Sequence, residues 1–198
     1  ENVVIPTSVD SIGDSAFYNC SSLEDIDIPR NVSSVGANAF KGTAMLNYQI
    51  ANAGPLYYAD TWVIGSTSGI ETIIDGSTPI KSGTTGIADN TFRGCTKLSN
   101  VAIPNTVKYI GDSAFENCGE LAIITIPSSV ESIGGYAFSN CSRLTTMDIP
   151  NNVKNMGNGV FYNCTKLSEI KLSTSLGAIG ISAFEGCKLL AAVDIPAS

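Results

Sequence analysis

Residues 98–120 read LSNVAIPNTVKYIGDSAFENCGE, and the same pattern returns at 121–143 and 144–166, a period of 23 residues. Its fixed places are Leu98, Val101, Ile103-Pro104, Val107, Ile110-Gly111, Ala114-Phe115 and Cys118. Working outward, all seven phenylalanines lie on this ruler: Phe17, Phe40, Phe92, Phe115, Phe138, Phe161 and Phe184. The one irregular interval, Phe40 to Phe92, is two periods plus six residues. Every cysteine stands three places after a Phe, and six of the eight prolines follow an isoleucine at a fixed place. A period of this size means stacked units, none of which buries its apolar face alone. The 43% apolar content suffices for the continuous core such a stack needs.

Leu98, Val101 and Ile103 have the spacing of a short strand on one wall of a leucine-rich solenoid. Leu121/Ile124/Ile126, Leu144/Met147/Ile149 and Leu167/Ile170/Leu172 repeat it. Residues between them are polar or small, as a half-buried strand requires. The following Pro has no donor and ends the pairing. Strands near 24–28, 99–103, 122–126, 145–149, 168–172 and 191–195 are therefore expected in one parallel sheet. The second half of each unit reads as one or two helical turns, with Asp14, Asp89 and Asp112 as N-caps. Two places after each Phe stands only Asn or Gly, which predicts a left-handed C-cap at Asn19, Gly42, Gly94, Asn117, Asn140, Asn163 and Gly186. The fold class is thus an α/β repeat solenoid, a right-handed leucine-rich repeat with a parallel β-sheet on one face and short helical turns on the other.

Two readings of the cysteine column stay open. Six cysteines fit a disulfide framework of a secreted protein. They also fit buried thiols, one per unit, and the parallel Cβ vectors of stacked units favour this second reading. Zinc has no support, because there is neither a C-x-x-C pair nor any histidine. The missing histidine also rules out Ser-His and Cys-His nucleophile pairs. Asp and Glu are scattered as on a solvated surface, so no enzyme and no cofactor is expected. The formal charge is −7 and the 11 basic residues stand singly, which argues against nucleic acid. No run approaches the ~18 apolar residues of a membrane span. The chain opens at Glu1-Asn2 in mid-repeat and is read as a mature form or an excised fragment.

The combined pattern I-P-x-x-V-x-x-I-G-x-x-A-F-x-x-C-x-x-L-x-x-I-x-I-P resembles the BspA-like leucine-rich repeats over residues 1–43 and 80–198. That resemblance implies a secreted or cell-surface protein that attaches to host proteins or other cells through its repeat surface. It brings no catalytic residues. Departures are local: Thr43 stands for Cys, Ala88 for Gly and Ser173 for Pro. Near Met45–Ile50 the strand register is ambiguous between Leu46 and the set Met45/Tyr48/Ile50. Residues 44–79 read as an irregular modified repeat within a single solenoid domain of about eight units, 1–198. Two β-rich runs around Ala59-Asp60 predict a hairpin, followed by a strand at Ile70–Ile74.

The default binding surface is the strand wall, with Asp25, Asp27, Asn100, Thr125 and Asp148 facing outward. The sharper candidate is the aromatic segment, where Tyr48, Tyr57, Tyr58 and Trp62 are of the types enriched at interface hot spots. Trp62 has a competing role as core filler where the repeat Phe is missing. Tyr57 and Tyr58 alternate faces, so at least one of the three tyrosines should be exposed near Asp25 and Asn100. The function expected is a non-catalytic surface adhesion module with a protein partner, an extracellular-matrix or cell-surface protein of the host. A carbohydrate-binding protein and a spacer presenting another domain are the alternatives.

Overall fold

The computed structural model describes residues 1–52, 54–66 and 80–195. They form a β-solenoid of about seven turns, against the eight units expected. The expected strand at Ile70–Ile74 lies outside the described residues. On the wall, β1 (Asn2–Val4) pairs in parallel with β3 (Asp25–Asp27), and β10 (Thr146–Asp148) with β12 (Glu169–Lys171). Lys171 bridges in parallel to Asp194. Residues 99–103 and 122–126 carry no ladder, so the wall is not one continuous sheet. Both segments are short and are followed by Pro104 and Pro127, so few donors remain and a small offset loses the ladder. Burial of Val101, Ile124 and Ile126 holds these units together instead.

A second ladder runs through the Val-x-x-Ile-Gly segments, where the sequence suggested only the approach to a helix. β7 (Gly86–Ile87), β8 (Tyr109–Ile110), β9 (Ser132–Ile133) and β11 (Asn155–Met156) stack in parallel. β2 (Ser11–Ile12) and β4 (Ser34–Val35) do the same at the other end. The expected hairpin is present: β5 (Leu56–Ala59) is antiparallel to β6 (Trp62–Ser66), and β6 joins β7 in parallel.

The Ala-Phe segments are hydrogen-bonded turns, not helices. Asn19, Asn117, Asn140 and Asn163 have φ of 59, 62, 58 and 56°, and Gly42, Gly94 and Gly186 are also left-handed, as the Asn/Gly column predicts. A second left-handed residue stands two places before each Phe, at Ser15, Asn38, Asn90, Ser113, Tyr136, Gly159 and Ser182. Two such residues four apart cannot belong to one helical turn. The Phe rings between them stack at 5.5 Å for Phe17–Phe40 and at 5.0, 5.3, 5.7 and 5.8 Å from Phe92 to Phe184.

The aspartates assigned as N-caps bond instead to the next unit. Asp14, Asp89 and Asp112 accept the backbone N–H of Ala37, Asp112 and Gly135 at 2.8, 2.7 and 2.7 Å. Asn158 accepts the N–H of Ile181 at 2.8 Å in the same column. Burial, and to a lesser degree the charges of Asp112 and Asp14, raise the Asp89 carboxyl to about 6, against the N–H bond from Asp112. Because this lies above the unfolded value, the charged form costs stability above pH 6, and that cost vanishes as pH falls toward 4. Asp89→Asn keeps an acceptor there, as Asn158 does. It should stabilise the protein by roughly 1 kcal/mol at pH 7.5, discounted for partial exposure, and by nothing at pH 4, measured by urea unfolding at both values.

The cysteines are thiols that tie one turn to the one before it. Sγ of Cys118, Cys141, Cys164 and Cys187 donates to the carbonyls of Phe92, Phe115, Phe138 and Phe161 at 3.1, 3.3, 3.1 and 3.0 Å. Burial raises the thiols of Cys118, Cys141 and Cys187, and that of Cys164 to about 12. The thiolate is the reactive form, so these groups should be inert in the native state. A thiol reagent at pH 8 should modify exposed Cys20 first, the buried cysteines only slowly, and all six after denaturation without reductant. Two missing equivalents in the denatured titration would mean bridging between units.

Candidate binding groove beside the irregular segment

The groove exists because a helix replaces a wall strand. Thr43, buried where other units have Cys, accepts the N–H of Leu46 at 3.2 Å through its hydroxyl and so caps α1 (Ala44–Asn52). This corrects the strand expected near Met45–Ile50: Ala44, Met45, Leu46 and Gln49 are strong helix formers. Met45 enters the core, whereas Tyr48 is 70% exposed. The Gln49 amide then docks α1 on the edge of β5. Its Nε2 donates to the Tyr58 carbonyl and its Oε1 accepts the Tyr58 N–H, both at 2.7 Å. At the hairpin tip, Asp60 has a φ of 48° and accepts the N–H of Ile28 at 3.0 Å, which ties the hairpin to the wall. The Tyr58 hydroxyl accepts the N–H of Lys81 at 2.9 Å.

These contacts leave a groove of about 770 Å³ between α1, β5 and the edge of β3. Ala44 and Met45 form its floor, and Tyr48 and Tyr58 its aromatic walls. Glu24, Asp25 and Asp60 supply three carboxylates at the rim, against Lys81. The Lys81 ammonium lies 6.0 Å from the centroid of the Tyr58 ring. Burial raises the Tyr58 phenol, which is neutral at pH 7. The α-amino group of Glu1 bonds Glu24 at 2.8 Å and holds its carboxyl below the usual range.

Of the residues singled out in the sequence, Tyr48, Tyr58 and Asp25 meet in this groove. Asp27 is exposed on the same strand but outside it. Trp62 is not available to a ligand, and Tyr57 lies outside this groove, lining a separate depression of about 590 Å³ with Leu46, Ile64 and Asn90. Tyr57 is buried with its ring over Gly65, and Trp62 is 1% exposed and stacked on Tyr109 at 6.1 Å. Trp62 fills the core, but over Gly86 and against Tyr109 rather than in the Phe column. Thr125 and Asp148 line a separate depression of about 400 Å³ beside exposed Ile123, and exposed Asn100 lies outside both. The sequence reading missed Gln49, Asp60 and Lys81. The T-A-M-L-N-Y-Q run after Phe40 was the signal for the first. Among the described residues no group of three His, Cys, Asp or Glu could hold a metal, and no helix is long and apolar enough to cross a membrane.

The family described as BspA type leucine rich repeat region matches residues 1–71 and 78–198 in six copies. Comparison with curated proteins returns no match. Among solved structures, the chain is similar to a leucine-rich repeat protein of T. pallidum at 26% identity and a TM-score of 0.55, covering 96% of this chain and 66% of that one. It is also similar to a leucine-rich cell surface protein of Faecalibacterium prausnitzii, at 25% identity and a TM-score of 0.62, over 96% of this chain and 58% of that one. The pneumococcal vaccine antigen PcpA shares the fold at 22% identity and a TM-score of 0.59, over 96% and 55%. The chain therefore spans less than two thirds of each of these proteins.

Proposed function

The chain belongs to the BspA-type leucine-rich repeat family, and we propose that it is a non-catalytic interaction module of a cell surface with a protein as its partner. On this reading residues 1–198 are one solenoid domain, residues 44–79 are a modified unit, and the groove beside α1 is the contact. One observation carries it. Where the repeat breaks, the chain exposes Tyr48 to 70% beside Asp25 in a groove, whereas the exposed tyrosines of the regular units, Tyr18 and Tyr136, reach 46% and lie outside it. Regular units are specified by stacking, which does not require an exposed tyrosine. Similarity to a cell surface protein supports the location, and the absence of histidine from the sequence supports a role without catalysis. Host extracellular-matrix or cell-surface proteins are the partners to test. Tyr48 beside carboxylates also favours a carbohydrate as second reading, since an aromatic face stacks on a sugar ring.

The experiment is surface plasmon resonance of the chain over immobilised matrix proteins, with Tyr48→Ser alongside. Loss of about tenfold in affinity, with unchanged melting, is the expected result, since truncating an interface tyrosine costs more than ~1 kcal/mol. Equal binding by the variant would remove the groove from the contact. A neutral glycan array read with the same variant separates the second reading.

A further inference from the structure

We propose that the groove beside α1 receives a lysine or arginine side chain from an extended segment of the protein partner, an inference that rests on the interaction-module reading above. The chain carries −7 overall, and the groove concentrates that charge at its rim. The Asp25 carboxylate is exposed and has no bonding partner among the described residues. Asp60 spends one oxygen on Ile28, leaving the other for a ligand. Carboxylates on a concave surface focus their field on an entering cation.

The aromatic walls fit the same ligand. Lys81 already places an ammonium over the face of Tyr58, so the chain itself uses this groove for a cation above a ring. The second ring, Tyr48, is open to solvent. A basic side chain lying along it would meet Asp25 at its head and Met45 along its stem. Sugar hydroxyls donate to carboxylates but also need donors to accept from. Among the lining residues the one amide, Gln49, spends one N–H and one lone pair on the Tyr58 backbone. What remains is mainly carboxylate, which accepts only. Because Gln49 also occupies the β5 edge at Tyr58, a partner strand cannot pair there, and recognition falls to side chains.

The test is fluorescence anisotropy of a labelled Gly-Ser peptide carrying two arginines, titrated with the whole chain. A peptide with glutamates in the same places and neutral oligosaccharides serve as competitors. The arginine peptide should bind and the glutamate peptide should not compete. Tyr48→Ser and Asp25→Asn should each weaken binding about tenfold, as should raising salt from about 50 to 300 mM. Asp148→Asn makes the same charge change outside the groove and should leave binding unaltered. Equal loss from Asp148→Asn would mean diffuse attraction and overturn the proposal. So would competition by an oligosaccharide, which instead identifies a glycan groove. Absence of peptide binding, with matrix binding still dependent on Tyr48, overturns the cation alone. Matrix binding that ignores Tyr48 overturns the reading beneath it.

Discussion

Replacing Trp62 by alanine should cost about 3–5 kcal/mol, the range for a fully buried large aromatic, and should divide unfolding into two steps. Trp62 and Val63, the two buried residues of β6, belong to different cores and join them. Trp62 packs with Val35, Phe40 and Met45 in the N-terminal core. Its neighbour Val63 packs with Ile87, Phe92 and Phe115 in the core that runs to the C-terminal turns. Gly86 has no side chain because a Cβ there would overlap the Trp62 ring. Elsewhere the turns are coupled by stacked Phe rings, but among the described residues no ring contact joins Phe40 to Phe92. In a solenoid, stability is close to a sum of unit and interface terms, so a weakened interface separates blocks that otherwise melt together. Urea unfolding followed by circular dichroism should show one transition for the parent and two for Trp62→Ala. Trp62→Phe, which keeps a ring, should fall between. A single transition within 1 kcal/mol of the parent would show that the two cores are coupled elsewhere.

How much was legible in the sequence followed from how narrowly each position is constrained. Left-handed backbone at Asn140 or Gly186 admits few residue types, so the Asn/Gly column announced itself. The matching column two places before each Phe did not, because Ser15, Ser113 and Tyr136 are poor markers of positive φ. Two-residue strands such as Ser132–Ile133 are too short for any alternation to register. The wall pattern L-x-x-V-x-I was read correctly as burial but not as pairing, since apolar spacing fixes which side chains turn inward and says nothing of ladder bonds between units. The helix α1 was legible and was missed: extending the repeat register across Met45–Ile50 overrode the local propensity and the capping Thr43. At the candidate groove, Tyr48 and Asp25 could be found as departures from the ruler. Alternation separated Tyr57 from Tyr58 without saying which faced out, because that depends on α1 covering one side of β5. Gln49, Asp60 and Lys81 come together only through that docking.

Gly134→Ala should cost about 3 kcal/mol, the upper part of the overpacking range, while Gly13→Ala changes stability by less than about 0.5 kcal/mol. Both glycines occupy the same place in their units, with Gly36, Gly111, Gly157 and Gly180. At Gly134 a Cβ would overlap the backbone N and Oδ1 of Asp112 and the carbonyl carbon of Gly111 in the preceding turn. Those atoms cannot retreat without breaking the bond from Gly135 N–H to Asp112 Oδ1, at 2.7 Å, and the one from Gly134 N–H to the Ile110 carbonyl, at 2.8 Å. A Cβ at Gly13 meets nothing within 4 Å. Neither residue has a positive φ, so the pair isolates steric stacking from backbone preference. Ala88 supports the same account. It takes the place of the glycine after the irregular segment, where its N–H bonds the carbonyl of Val63 in β6 rather than that of a regular turn. For a chain of this size 1 kcal/mol moves Tm by roughly 2–4 °C, so Gly134→Ala should melt some 6–12 °C below the parent, with Gly13→Ala indistinguishable from it. Equal melting of the two variants would mean that the turns stand further apart than the column requires.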